Sequence, residues 1–140
     1  MLDICPANKN QFPEILKILK DLDLYYQDHD LSNFWTANDG SIIVGLVKMN
    51  DYMDFAFLGS LGVAINSRNR GIARQILTKM FDVYKKDIYI YTVIPDFFEK
   101  FGFMKISTPN NLPPKDNFEC KDCFPDKCAT MVRTYDKSIA

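Results

Sequence analysis

The sequence has no excess of either charge. Seventeen basic residues, eighteen acidic ones and a single histidine leave a formal charge of −1, too balanced to supply the basic field that non-specific nucleic-acid binding needs. No nucleic-acid partner is expected. No run reaches the 18 or so apolar residues of a membrane span: the best, over residues 41–49, is interrupted by Gly45 and Lys48. The first six residues, Met1-Leu2-Asp3-Ile4-Cys5-Pro6, lack a basic stretch and a small-residue cleavage site. Secretion is therefore not expected, a cytoplasmic location is, and no membrane association is anticipated. Internal repeats, low-complexity tracts and a second-domain boundary are also missing. What is present is apolar. Leu, Ile, Val and Phe supply 41 of the 140 residues beside 25% charged ones, which excludes a disordered or fibrous chain and predicts one soluble domain over residues 1–140 around a single core.

Periodicity divides the chain into elements. Residues 2–5 read as a strand stopped by Pro6, and Phe12, Ile15, Leu16, Leu19 and Leu22 mark one face of a helix starting near Asn10. Three strands, 34–36, 41–49 and 53–63, are separated by the turn sequences Asn38-Asp39-Gly40 and Asn50-Asp51. The period then changes: Ile72, Ile76, Leu77, Met80, Phe81 and Val83 fit a helix reaching about Lys85. Residues 87–93 show no polar alternation, as in a strand covered on both faces. Pro95 opens a short helix, Gly102 ends it, and strands are expected at 103–106 and 128–135. The stretch from 107 to about 127 has no period and carries a cysteine cluster.

Arginine is concentrated where the second long helix begins. Three of the four arginines, Arg68, Arg70 and Arg74, fall within seven residues. They surround Arg68-Asn69-Arg70-Gly71-Ile72-Ala73, between a strand and an amphipathic helix. The first N–H groups of a helix lack internal partners and carry partial positive charge, so they take up an anion directly. Small residues at 71 and 73 let the backbone approach it, and guanidinium groups add bidentate recognition. A solvated basic surface is the competing reading of the same residues.

The order of elements, the Arg-x-x-Gly-x-Ala loop five residues after Ser60-Leu61-Gly62-Val63, and the later Phe97-Phe98-Glu99-Lys100-Phe101-Gly102-Phe103 resemble the GNAT superfamily of acyl-CoA-dependent N-acetyltransferases. The resemblance covers the chain to about residue 106. It implies an α/β fold with a mixed, mostly antiparallel sheet flanked by helices, and acetyl-CoA as cosubstrate. By that resemblance the pyrophosphate would rest on Arg68, Asn69, Arg70, Gly71, Ile72 and Ala73. The pantetheine arm would pair with Leu61, Gly62 and Val63, and an N–H near Leu61 would receive the oxyanion.

The residues also depart from the family pattern. Where many relatives carry a glutamate base this chain has Phe57, where some carry an arginine it has Gly59, a frequent asparagine is Tyr91, and a frequent tyrosine acid is Phe98. Asp54 and Tyr91 are the remaining catalytic candidates, beside a water relay or catalysis by proximity alone. The acceptor would be a small amine or a protein amine, and a homodimer is compatible with the family. Two rival readings stand: an acyl-CoA-binding module without turnover, and a metal-stabilised interaction protein. Aromatics Tyr25, Tyr26, Phe34 and Trp35 would line an acceptor pocket or simply pack.

Cys120-x2-Cys123-x4-Cys128 offers three soft ligands for a structural zinc, with Cys5 or His29 as the fourth. A disulfide and unpaired thiols are the alternatives. The tail resembles that of some N-acetylglutamate-synthase-like GNAT members. His29, between two aspartates, otherwise reads as a solvated loop residue.

Overall fold

The computed structural model describes residues 2–25, 31–107, 109, 112 and 129–135. The elements follow the periodicity closely: β1 (Asp3–Pro6), α1 (Phe12–Asp21), β2 (Phe34–Asp39), β3 (Ile42–Asp51), β4 (Phe55–Val63), α2 (Ile72–Val83), β5 (Asp87–Thr92), α3 (Pro95–Glu99), β6 (Met104–Ile106) and β7 (Ala129–Arg133). The strands form one seven-stranded sheet ordered β1-β2-β3-β4-β5-β7-β6. Pairing is antiparallel for β1 with β2, β2 with β3, β5 with β7 and β6 with β7. Pro6 belongs to β1, opposite Trp35, because β1 is an edge strand and a missing N–H there breaks no ladder.

The chain divides into two compact units, residues 1–50 with 58–83, and residues 51–57 with 84–140. Strand β4 contributes to both. In the first unit, Ile15, Ile18 and Leu19 from one face of α1 join Leu31, Phe34, Ile43 and Leu46 in a buried cluster. Leu22 and Leu24, just beyond α1, pack against the same cluster. Four buried side chains of α2, Ile72, Ile76, Leu77 and Met80, recur at helical spacing. In the second unit, Phe55, Phe57 and Leu112 form a smaller buried cluster flanked by Tyr89 and Tyr91.

Three expectations change. Strand β2 continues past Thr36 to Asp39. It does so through a bulge between Ala37 and Asn38, and the buried Asn38 amide donates to the Thr36 hydroxyl (3.0 Å) and the Asp3 carbonyl (3.0 Å). Its carbonyl oxygen accepts from Gln11 at 3.1 Å. With its polar atoms paired, asparagine is tolerated inside the sheet. The second turn moves from residues 50–51 to 52–54, since β3 runs to Asp51 and β4 begins at Phe55, and it is closed by the Tyr52 N–H donating to the Phe55 carbonyl at 2.9 Å. Finally, β5 is not equally covered on both faces: Ile88, Ile90 and Thr92 are buried while Tyr89 and Tyr91 are half-buried, since phenols keep a polar tip toward water.

Candidate functional site

The first unit builds its site from backbone. Along β4, residues of one parity (56, 58, 60, 62) are buried, while Gly59, Leu61 and Val63 on the other face stay partly exposed. Gly62 has a packing reason: a Cβ there would meet Leu22 Cδ1 at 2.7 Å and Leu24 Cδ1 at 3.2 Å. After β4, the Ala64 N–H donates to the Val44 carbonyl (2.9 Å) and residues Ile65–Ser67 make one 3-10 turn. The chain then reverses through two left-handed residues, Asn69 (φ 64°) and Gly71 (φ 72°).

Gly71 stands immediately before α2, and its carbonyl accepts from the Gln75 N–H at 3.2 Å, the bond that begins the helix. The N–H groups of Ile72, Ala73 and Arg74 precede that bond and so have no acceptor within the helix. A Cβ built on Gly71 meets nothing within 4 Å, so this end of the helix opens into space. Successive backbone N–H groups in a turn before a helix can form a concavity that binds anions.

Gly45 of β3 fixes the helix start. A Cβ on it would meet Ile76 Cδ1 at 2.8 Å and Ile72 Cγ2 at 3.1 Å, so the first turns of α2 lie directly on the β3 backbone. The arginines are less uniform than their spacing suggests. Arg68, Arg70 and Arg74 are all exposed, and Arg70 Nη2 pairs with Asp39 Oδ2 at 3.2 Å, the two side chains 51% and 53% exposed.

The second unit presents rings. Phe57 is only 3% exposed and meets the Tyr91 ring edge-on, centroids 4.9 Å apart. Phe55 stacks on Tyr52 at 4.7 Å and meets Tyr89 edge-on at 5.4 Å. Asp54, expected at the start of the strand, instead sits exposed in the turn one residue before β4. The turn lies there because its closing bond runs between Tyr52 and Phe55 and because Lys86 binds Asp51 and the Tyr52 carbonyl. Phe98 is buried, edge-on to Phe97 (5.1 Å) and Phe103 (5.5 Å).

Cys120, Cys123, Cys128, Tyr26 and His29 lie outside the described residues. Cys5 is a half-buried free thiol on β1, with the Asn38 amide nitrogen 3.7 Å from its sulfur. Among the described residues, no three His, Cys, Asp or Glu side chains come together as a metal site, and no helix is long and apolar enough to cross a membrane. Phe34 is core, Trp35 half-buried and Tyr25 exposed under the Lys20 ammonium. Sequence reasoning passed over Asp39, taken for a turn residue, and Gly45, taken only for an interruption of an apolar run. Each owes its position to a residue about 30 positions away, and no local pattern signals that.

The family model described as the acetyltransferase (GNAT) family matches residues 2–103. The chain belongs to the GNAT family. No curated protein matches the sequence. Among solved structures, N-acetylglutamate synthase from Neisseria gonorrhoeae, complexed with coenzyme A and N-acetyl-glutamate, is similar to 98% of this GNAT chain at 15% identity and a TM-score of 0.76. The chain spans only 36% of that enzyme's length. A GNAT-family acetyltransferase from Staphylococcus aureus Mu50 matches at 19% identity and a TM-score of 0.73, covering 97% of this chain and 100% of that one. PaiA N-acetyltransferase from Thermoplasma acidophilum, in complex with coenzyme A, matches at 13% and 0.72, covering 96% and 99%. These likenesses establish the α/β GNAT fold, with its mixed, mostly antiparallel sheet.

Proposed function

We propose that this GNAT chain binds acetyl-CoA at residues 61–63 and 68–73 and transfers the acetyl group to a primary amine. One observation carries the reading: the left-handed residues Asn69 and Gly71 lead into the first turn of α2 beside arginines, and a Cβ on Gly71 would meet nothing within 4 Å. That arrangement suits the pyrophosphate of the cosubstrate. The partly exposed face of β4 at Leu61 and Val63 suits an extended pantetheine arm, pairing like an added strand.

In the reaction the amine nitrogen attacks the thioester carbon, a backbone N–H near Leu61 takes the oxyanion, the C–S bond breaks, the nitrogen releases one proton to water, and the thiolate gains one. Phe57 and Phe98 supply neither base nor acid. The amine arrives deprotonated from solvent and is held close, which by itself is worth several orders of magnitude. Tyr91 is the better proton donor of the two candidates, since its phenol belongs to a strand and is half-buried, whereas Asp54 is exposed in a turn. Calorimetry with acetyl-CoA and with S-acetylpantetheine, followed by free-thiol release over a panel of amino acids, polyamines and peptides, tests binding and turnover separately. Tight binding with no thiol release under any acceptor would favour the second reading, an acyl-CoA-binding module. The apolar replacements Phe57 and Phe98 speak for that reading.

The zinc reading of Cys120, Cys123 and Cys128 rests on spacing alone. Elemental analysis of protein purified without added metal should find close to one zinc per chain, and metal-free protein with four titratable thiols would refute both zinc and disulfide.

A further inference from the structure

The proposed phosphate cradle already holds an anion of the protein's own. Asp39 ends β2 just before the Gly40 turn (φ 63°), and its Oδ2 lies 3.2 Å from Nη2 of Arg70, 31 residues away in sequence. Arg70 is the residue between the two left-handed positions, Asn69 and Gly71. The guanidinium that the loop offers to an incoming anion is therefore engaged by a carboxylate.

We propose that Asp39 is an internal competitor for the phosphates of the cosubstrate, setting affinity by occupying Arg70 until a phosphoryl group displaces it. The inference rests on the reading of residues 68–73 as the polyphosphate cradle. Two physical effects act in the same direction. Phosphate binding to Arg70 forfeits part of the Asp39 pair, and the displaced carboxylate remains beside the bound anion as a like charge. Both side chains are about half exposed, so the pair is weak, is readily exchanged and contributes little fixed orientation to Arg70. Removal of the carboxylate should thus tighten binding. An exposed pair of this kind corresponds to about two- to fivefold in affinity. Salt should reduce the difference and about 1 M should nearly remove it, because the Debye length falls from about 30 Å at 0.01 M to about 3 Å at 1 M, comparable with the 3.2 Å pair.

The test is calorimetric titration of the full chain with acetyl-CoA, acetyl-dephospho-CoA and S-acetylpantetheine, at low and high salt. Asp39→Asn should bind acetyl-CoA about two- to fivefold tighter at low salt. The gain should nearly vanish at about 1 M salt, and vanish with S-acetylpantetheine, which carries no phosphate. Comparison with acetyl-dephospho-CoA separates the 3′-phosphate from the pyrophosphate as the group that displaces Asp39. Asp39→Glu, which restores the carboxylate, should behave as wild type, and in an Arg70→Gln background Asp39→Asn should give a smaller gain. Glu14→Gln removes an exposed acid of α1 and controls for net charge. Equal or weaker binding by Asp39→Asn, or the same gain from Glu14→Gln, overturns the competition. If wild type itself shows no preference for acetyl-CoA over S-acetylpantetheine, the phosphate cradle fails and the competition with it. If wild type keeps that preference while Asp39→Asn changes nothing, only the role of Asp39 fails.

Discussion

The two units put their shared strand to different uses. The first unit offers main chain: Gly71, on which a Cβ would meet nothing within 4 Å, the first turn of α2, and the partly exposed face of β4 at Leu61 and Val63. The second covers the start of the same strand with rings, Phe55 and Phe57 beneath Leu112 and against Tyr89 and Tyr91. A site built from N–H groups depends on backbone shape and tolerates the loss of any one catalytic side chain. A side-chain site does not, and in the second unit the family's usual carboxylate has become a phenyl ring. The contrast locates the strength of the functional reading in cosubstrate binding, and it can be broken at either end.

The largest expected effect comes from Gly71→Asp. The site has room for a side chain, and aspartate accepts the left-handed region better than most residues, at a cost of about 1 kcal/mol. The added charge, however, stands where phosphate is proposed to lie. Calorimetry should show acetyl-CoA affinity reduced at least about 100-fold, against a nearly unchanged melting temperature. Gly71→Asn, equal in shape but neutral, should retain most of the affinity. Equal losses in both variants would mean that shape, not charge, governs this loop.

Next in size is Tyr91→Phe. The ring stays against Phe57, and loss of a general acid should lower kcat by about 100-fold with the KM for acetyl-CoA unchanged, a split that loss of stability alone does not produce. Asp54→Asn, in an exposed turn, should leave kcat within about twofold. A kcat unaffected by Tyr91→Phe would leave proximity and the backbone oxyanion donor as the sources of catalysis and sharpen the contrast between the units.

A smaller effect, on stability, follows from Gly45. Gly45→Ala pushes a methyl group into Ile76 Cδ1 and Ile72 Cγ2, overpacking worth about 1–3 kcal/mol, and lifts the start of α2 from the sheet. Ile76→Val deletes the closer of the clashing atoms. On wild type that change costs about 0.5–1.5 kcal/mol, but beside Gly45→Ala it should recover stability, seen as a favourable coupling in a denaturation double-mutant cycle. Additive losses would show that α2 accommodates the methyl by shifting.

Gly45 also shows where sequence reading stops. Helices and strands were legible because their signals are local: Ile15, Ile18 and Leu19 at helical spacing, Gly71 before an amphipathic run, Pro95 and Gly102 around α3. The Arg-x-x-Gly-x-Ala loop was legible for the same reason. The errors fall where a distant partner overrides local preference. Asn38 reads as a turn residue until Gln11, Thr36 and Asp3 satisfy its amide. Asp39 is indistinguishable from a turn aspartate without Arg70, and the turn before β4 depends on Lys86.

The smallest expected effect concerns Phe98. A tyrosine at that place in relatives would make Phe98→Tyr a restoration of the acid, and turnover should hold at wild-type level or rise. The surroundings limit the gain. Phe98 is 6% exposed and wedged edge-on between Phe97 and Phe103, so a new hydroxyl must find a partner or lose about 1–3 kcal/mol to desolvation. Two measurements separate these effects. A lower melting temperature with unchanged kcat means that the hydroxyl is buried among rings and takes no part in acyl transfer. A raised kcat with an unchanged KM for acetyl-CoA means that it reaches the leaving thiolate, and the gain should then disappear if Tyr91 normally performs that step. Lost turnover in a folded variant with normal acetyl-CoA affinity would refute position 98 as the place of the missing acid, because the added hydroxyl would then obstruct the chemistry and not protonate the thiolate.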